Sequence, residues 1–305
     1  MRALSLHPDV VVVTSSVWQT SATLVRGPGE FPESVLVDSP LLPVELDALR
    51  GLADSGGFDV RGLLATHADW DHVLGRLAFP EAAVGLDERS AARLTARLGE
   101  PQRRLREFDA EWYVQRPSPL ALGELQPLPV PGRLELGEQQ ADVLDGAGHT
   151  GDGLLLWLPW AQTLIVGDYL SPVELPSWDE TGSRTAYREA LERLALLVPA
   201  ARWVVVGHGG PVGRDDALRI LDEDRDYLES GSPPSRGARS TNRTQHATNL
   251  AAWDRPAVPI PELEDLPLPG PPMAGRSEGS DGAETAEIMN PPQNGGLSAD
   301  VRAVT

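Results

Sequence analysis

Cysteine is absent from the 305 residues. That excludes disulfides, thiolate zinc ligands and a thiol nucleophile, and leaves histidine and carboxylates as the ordinary metal-ligating side chains. Also missing is any apolar run near the roughly 20 residues of a membrane span. Residues 10–13, which follow Arg2, are too few and too β-branched for a signal-peptide core, so a soluble, cytoplasmic protein is expected. Basic residues are scarce, 26 Lys and Arg against 45 Asp and Glu, for a net charge of -19. Such a surface repels nucleic acid and anionic membrane, so neither is expected as a partner. A small-molecule substrate is expected instead, and a polyanionic one is disfavoured unless bound metal ions reverse the sign locally. No internal repeat is present.

Residues 10–13, 21–26 and 35–38 read as consecutive strands, punctuated by Gly27-Pro28-Gly29 and Phe31-Pro32. After Pro43, Leu46, Leu49 and Leu52 fall at helical spacing, and Gly56-Gly57 ends that helix. A buried strand at 60–65 runs directly into Thr66-His67. Residues 87–118, with Arg89, Arg93, Arg97, Arg103, Arg104 and Arg106, read as a helical insertion near the site, two surface helices broken at Pro101. Further strands are expected at 141–144, 154–158, 163–166 and 203–206, and helices at 185–197 and 215–228. Two β-rich halves, each closed by helices, predict an α+β fold, an αββα four-layer sandwich of two mixed β-sheets with outer helices. That domain is expected to occupy residues 1–230. From Gly231 the composition shifts to Pro, Gly, Ser and polar residues, which predicts a disordered tail over 231–305, dispensable for folding and activity.

The six histidines carry the functional signal. His7 and His246 lie near the ends, whereas His67, His72, His149 and His208 all sit at strand-to-loop junctions. The run Thr66-His67-Ala68-Asp69-Trp70-Asp71-His72 sets four ligand-capable side chains in a tight loop after a buried strand. Gly148-His149-Thr150, Gly167-Asp168 and Gly207-His208-Gly209-Gly210 repeat the form: a strand end, a ligand-capable residue, and a glycine that lets the backbone crowd close.

These pieces, in this order over roughly residues 10–230, resemble the metallo-β-lactamase superfamily, whose signature is His-x-His-x-Asp-His followed by a His, an Asp and a His at later strand ends. The resemblance implies a first metal site of His67, Asp69 and His149, a second of Asp71, His72 and His208, and Asp168 as the bridge. Two divalent ions about 3.5–4 Å apart would share a hydroxide that attacks a carbonyl or phosphoryl centre, with Asp71 shuttling the proton. The implied activity is that of a metal-dependent hydrolase of a small ester, lactone, thioester or amide. Asp69 departs from the family pattern, which has histidine there. The change adds a negative charge and a hard oxygen ligand, so zinc is the first expectation, with iron or manganese favoured more than a histidine would favour them. The lower formal charge makes a bound water harder to deprotonate but its hydroxide more nucleophilic. In flavodiiron-type oxidoreductases of the superfamily a glutamate stands at this position, which supplies a second reading, an iron-dependent oxidoreductase or dioxygenase. Those enzymes need a flavodoxin-like domain that 231–305 is too short to form. A third reading is a non-catalytic binding domain with a degenerate site.

Competing structural roles exist for several residues. Asp69 and Asp71 suit a helix N-cap, and Asp168 a turn after Gly167. Asp38 suits either a turn or a support for the ligands. Thr150 and Ser171 suit either ligand contacts or backbone hydrogen bonds. Trp70, Trp112 and Tyr113 are the candidates to wall a substrate pocket, whereas Trp157, Trp178 and Trp203 are expected in the core. The arginines of the insertion either pair with a substrate carboxylate or form a solvated face.

Overall fold

The computed structural model describes residues 1–29 and 33–266. The first half runs β1 (Arg2–His7), β2 (Val10–Thr14), β3 (Ser21–Gly27), β4 (Glu33–Val37), α1 (Pro43–Gly56), β5 (Val60–Leu64), β6 (Ala83–Asp87), α2 (Glu88–Ala96), α3 (Glu100–Glu111) and β7 (Leu125–Leu128). The second runs β8 (Gly132–Leu136), β9 (Gln139–Asp145), β10 (Leu154–Leu158), β11 (Thr163–Ile165), α4 (Arg184–Leu197), β12 (Trp203–Val205), β13 (Val212–Gly213), α5 (Arg214–Ser230) and α6 (Arg243–Ala251). One sheet has seven strands in the order β1-β2-β3-β4-β5-β6-β7, the other six in the order β13-β12-β11-β10-β9-β8. Both are mixed: β4 to β7 pair in parallel in the first, and β11 with β12 in the second.

Period-two alternation divides the core into layers. Leu154, Leu156 and Leu158 of β10 join Val10, Val12, Val25 and Val37 of the other sheet in the layer between the sheets. Leu155 and Trp157, on the opposite face of β10, pack towards α4 and α5 with Tyr187, Leu191, Leu194 and Ile220. On the outer face of the first sheet, Leu24, Leu36 and Val84 meet Leu49 and Ala53 of α1 and Ala91 and Leu94 of α2. The four layers are therefore helix, sheet, sheet, helix, as expected from the two-halves pattern. Trp178 is buried in this core and Trp157 packs against it.

Two local expectations change. The helices of the insertion separate at Gly99, in the left-handed region (φ 79°), and Pro101 lies in the first turn of α3, where its missing N–H costs no hydrogen bond. The strands β1, β6, β7, β8 and β13 are additions to the expected set. The turn at Phe31-Pro32 lies outside the described residues.

The tail does not start at Gly231. Asn249 of α6 donates to the Pro176 carbonyl (2.6 Å) and the Tyr227 hydroxyl (2.9 Å). The Trp178 indole donates to the Ala252 carbonyl (3.2 Å), and Trp253 packs on the core beside α4 and α5. Arg239 is buried against Asp224 and Glu223, and the compact unit takes in the described residues through 266. The segment docks through hydrogen bonds, one guanidinium and one indole rather than through an apolar stripe, so periodicity does not mark it. The remainder of the expected tail lies outside the described residues. A chain ending at Gly231 is expected to lose about 3 kcal/mol, the low end for deleting a packed Trp. At about 2–4 °C per kcal/mol for a domain of this size, scanning calorimetry should show a melting temperature roughly 6–12 °C lower. An unchanged value would mean that the segment contributes nothing to the fold.

Candidate metal centre

Each expected ligand leaves the end of a strand on the same edge of the sandwich. His67 follows β5, Asp71 and His72 lie in the single 3-10 turn Trp70–His72, His149 follows β9, Asp168 follows β11, and His208 follows β12. The sheets are stitched together at this edge by Ser21 N–H donating to the Gly207 carbonyl (2.7 Å) and by a bridge between Thr20 and His208. Gly207 is required by proximity: a Cβ there would lie 2.0 Å from Asp168 Oδ1.

All seven residues converge. Asp168 lies at the centre, its Oδ1 3.3 Å from His72 Nε2 and its Oδ2 3.4, 3.5 and 3.9 Å from the Nε2 atoms of His149, His208 and His67. Asp69 Oδ2 stands 3.6 Å from His67 Nε2 and 3.9 Å from His149 Nε2. Asp71 Oδ2 stands 3.5 Å from His208 Nε2 and 3.9 Å from His72 Nε2. Three sets of donor atoms each fall within 4.8 Å of one another: His67, Asp69 and His149; Asp71, His72 and His208; and His67, His72 and Asp168.

The rings are aimed from behind. Nδ1 of His149 donates to the Ser177 carbonyl (2.6 Å), and Nδ1 of His208 to the Trp18 carbonyl (3.1 Å). A carbonyl only accepts, so in each ring Nδ1 carries a proton and Nε2 is the atom that faces inward. Nδ1 of His72 lies 3.0 Å from Asp38 Oδ2. Asp38 also accepts from the Thr66 N–H (2.8 Å) and hydroxyl (2.9 Å), and holds a left-handed backbone (φ 57°). Asp38 thus supports the His72 ring rather than merely forming a turn. Ser171 and Thr150 instead complete backbone hydrogen bonds, donating to the carbonyls of His208 (2.7 Å) and Asp152 (3.0 Å).

The charges are tightly coupled. Burial pushes the His72 and His208 imidazoles down, but Asp168, with Asp38 on His72 and Asp71 on His208, more than offsets it and holds both well above the usual range; His67 is raised more modestly. Burial raises the carboxyls of Asp69, Asp71 and Asp168, and the facing histidines outweigh it, so all three lie below the usual carboxylate range. Without a cation, protons on His67, His72 and His208 balance the carboxylates. Yet the Nε2 atoms of His67, His72 and His149 and Oδ1 of Asp168 are buried with no hydrogen-bond partner among the described residues. Buried polar atoms are otherwise nearly always satisfied, and imidazole nitrogens with carboxylate oxygens suit a divalent ion. The residues fit the metals that the pattern implies.

A family model described as the metallo-beta-lactamase superfamily matches residues 16–208. The chain belongs to this superfamily. Membership brings a fold that binds divalent metals and supports a metallohydrolase-type function. A metallo-beta-lactamase type 2 of Bacteroides fragilis is 31% identical over 91 residues, covering 29% of this chain and only 36% of that protein's length. A metallo-beta-lactamase family protein of Thermus thermophilus superposes with a TM-score of 0.56 at 23% identity, over 75% of this chain and 83% of that one. A further protein, crystallised in a di-iron-bound form, superposes with a TM-score of 0.50 at 24% identity, over 68% of this chain and 97% of that one. The latter two likenesses concern the fold.

Beside the superfamily site opens a cavity of about 240 Å³, lined by Ala68, Asp69, Trp70, Leu94, Pro101 and several charged side chains. Of the three aromatic candidates only Trp70 lines it, held edge-on by Trp18 (5.7 Å) and against Phe108 (5.3 Å). Trp112 stacks on Phe108 (5.8 Å), and Tyr113 is 93% exposed. The insertion does reach the cavity, through Arg93, Arg97 and Arg104, but all three arginines already pair with carboxylates of this chain. Two residues escape the reading of the sequence: Arg93 as a partner of Asp69, and Asp152 as a buried support. Asp152, between Gly151 and Gly153 and three residues after His149, carries a readable signal; Arg93, at one of many arginine positions on a helix, carries none.

Proposed function

We propose that this protein is a metal-dependent hydrolase of a small ester, lactone, thioester or amide. The observation that supports this reading best is the set of inward-facing, unpartnered Nε2 atoms around Asp168. His67, Asp69 and His149 would hold one divalent ion, Asp71, His72 and His208 a second, and Asp168 would span both. Bound there, divalent ions supply a Lewis acid for a substrate oxygen and an acidified water as nucleophile. Asp71, which faces His208 and His72, would accept a proton from that water. Trp70, Leu94 and Pro101 offer apolar surface beside the cluster, which suits a compact acyl portion. The anionic chain favours a small neutral substrate free in the cytoplasm over nucleic acid or membrane.

A second reading, an iron-dependent oxidoreductase or dioxygenase, is favoured by the carboxylate of Asp69 within the first group and by the di-iron relative. Mass-spectrometric metal analysis of protein from cells supplied with zinc, iron and manganese separates the two. Close to two zinc ions per chain, with turnover in an ester, lactone, thioester and amide panel, is the expected result. Predominant iron with no hydrolysis would transfer support to the oxidoreductase, and no metal at all would overturn both.

A further inference from the structure

Arg93 of α2 sits outside the seven-residue cluster, yet its guanidinium touches every segment that carries the first metal group. Its Nη2 lies 2.6 Å from Asp69 Oδ1 and 3.1 Å from Asp179 Oδ2, and its Nη1 3.0 Å from Asp152 Oδ1. Each of those carboxylates reaches a different part of the group. Asp152 is fully buried, takes the Ser90 hydroxyl (2.7 Å) and accepts the Ala68 N–H (2.8 Å), which fixes the backbone between His67 and Asp69. The Asp179 N–H donates to the His149 carbonyl (3.0 Å), two residues beyond the Ser177 carbonyl that orients the His149 ring. Asp69 has one oxygen on Arg93 and only the other, Oδ2, turned towards His67 and His149. The ion pairs of Arg93 are with these three acids, and those of Asp71 are with His72 and His208.

We propose that Arg93 is the positioning residue of the first metal group, confining Asp69 to one ligand oxygen and locking together the two loops that present His67, Asp69 and His149. This rests on the metal-site reading above. A carboxylate has two equivalent oxygens and a freely turning end, whereas the histidine of the family pattern has one inward nitrogen fixed by its ring. A planar guanidinium that occupies one oxygen removes that freedom. Replacing histidine by Asp69 therefore works in this chain because Arg93 supplies the missing orientation.

Zinc titration in competition with a chromophoric chelator, on the full chain, tests the assignment. Two binding classes are expected for the wild type. In Arg93→Gln one class should weaken about 10–100-fold, the usual range for losing a partner behind a ligand, while the other stays within error. Arg93→Lys should recover only part of the loss, since one ammonium cannot span three carboxylates. In an Asp69→His background, where the ligand no longer needs orienting, Arg93→Gln should cost less than it does in the wild type. Equal weakening of both classes, or additive losses, would overturn the proposal by reducing Arg93 to a general electrostatic or structural role, as would an unchanged affinity. Should Arg93→Gln not fold, Arg93→Lys carries the same comparison of classes. Wild-type protein that binds no zinc, iron or manganese would overturn the metal reading itself, whereas two filled sites indifferent to Arg93 would overturn this inference alone.

Discussion

Asp168→Asn is expected to abolish turnover, lowering it about 10³-fold or more, the equivalent of several kcal/mol of metal-borne charge stabilisation. Among the described residues, Asp168 is the one carboxylate within 4 Å of all four clustered histidines. An amide in its place keeps the shape but removes the charge that balances them and the second equivalent oxygen. The change should also cut the metal bound after dialysis, which separates loss of the ions from damage to a proton-transfer step. In the metal-free protein the effect has a second sign: His72 and His208 owe their raised affinity for protons in large part to this carboxylate. Their imidazole signals should titrate at lower pH in the variant. Full metal content together with unaltered histidine titration would show that Asp168 holds neither ions nor protons.

Removing the metal should change the pH dependence of stability as well as its size. In the metal-free chain, His67, His72 and His208 bind protons more tightly than the ordinary value of 6.5. Their contribution is complete below 6.5 and is lost as pH rises through the folded values. Asp69, Asp71 and Asp168 bind protons less tightly than the ordinary 3.8. Their contribution is complete above that value and is lost as pH falls through the folded ones. Chelator-treated protein should therefore be most stable between roughly pH 4 and 6.5 and weaken above it. The loaded protein should do the reverse across neutrality, because the ligands must shed protons to bind and binding tightens as pH rises. With free metal at about a thousand times its Kd the gain is about 4 kcal/mol, roughly 8–16 °C in melting temperature. Scanning calorimetry with and without chelator from pH 5 to 8 checks both parts. Parallel curves with no widening gap would mean that these histidines are not where the ions bind.

Residues 231–266 and the insertion show where reading the chain succeeds and where it stops. Strands such as β10 and helices such as α4 announce themselves by periodicity, because one face must be apolar wherever a layer is buried. The docking of residues 231–253 does not, since Asn249, Arg239 and Trp253 act as separate side chains rather than as one apolar face. Likewise Arg93 is legible as one of several arginines on a helix, and only the fold shows it bound to Asp69, Asp152 and Asp179 rather than facing solvent.

By itself the sequence determined the layered fold and pointed to the seven residues that converge, because four ligand-bearing strand ends, three of them beside a glycine, follow in the order that resembles the superfamily. Only the tertiary structure decided how those residues are aimed. The carbonyls of Ser177 and Trp18, the carboxylate of Asp38 and the guanidinium of Arg93 come from distant segments or adjoining turns and act through orientation. Orientation is a property of packed atoms in space, and the order of residues along a chain does not encode it in any short pattern.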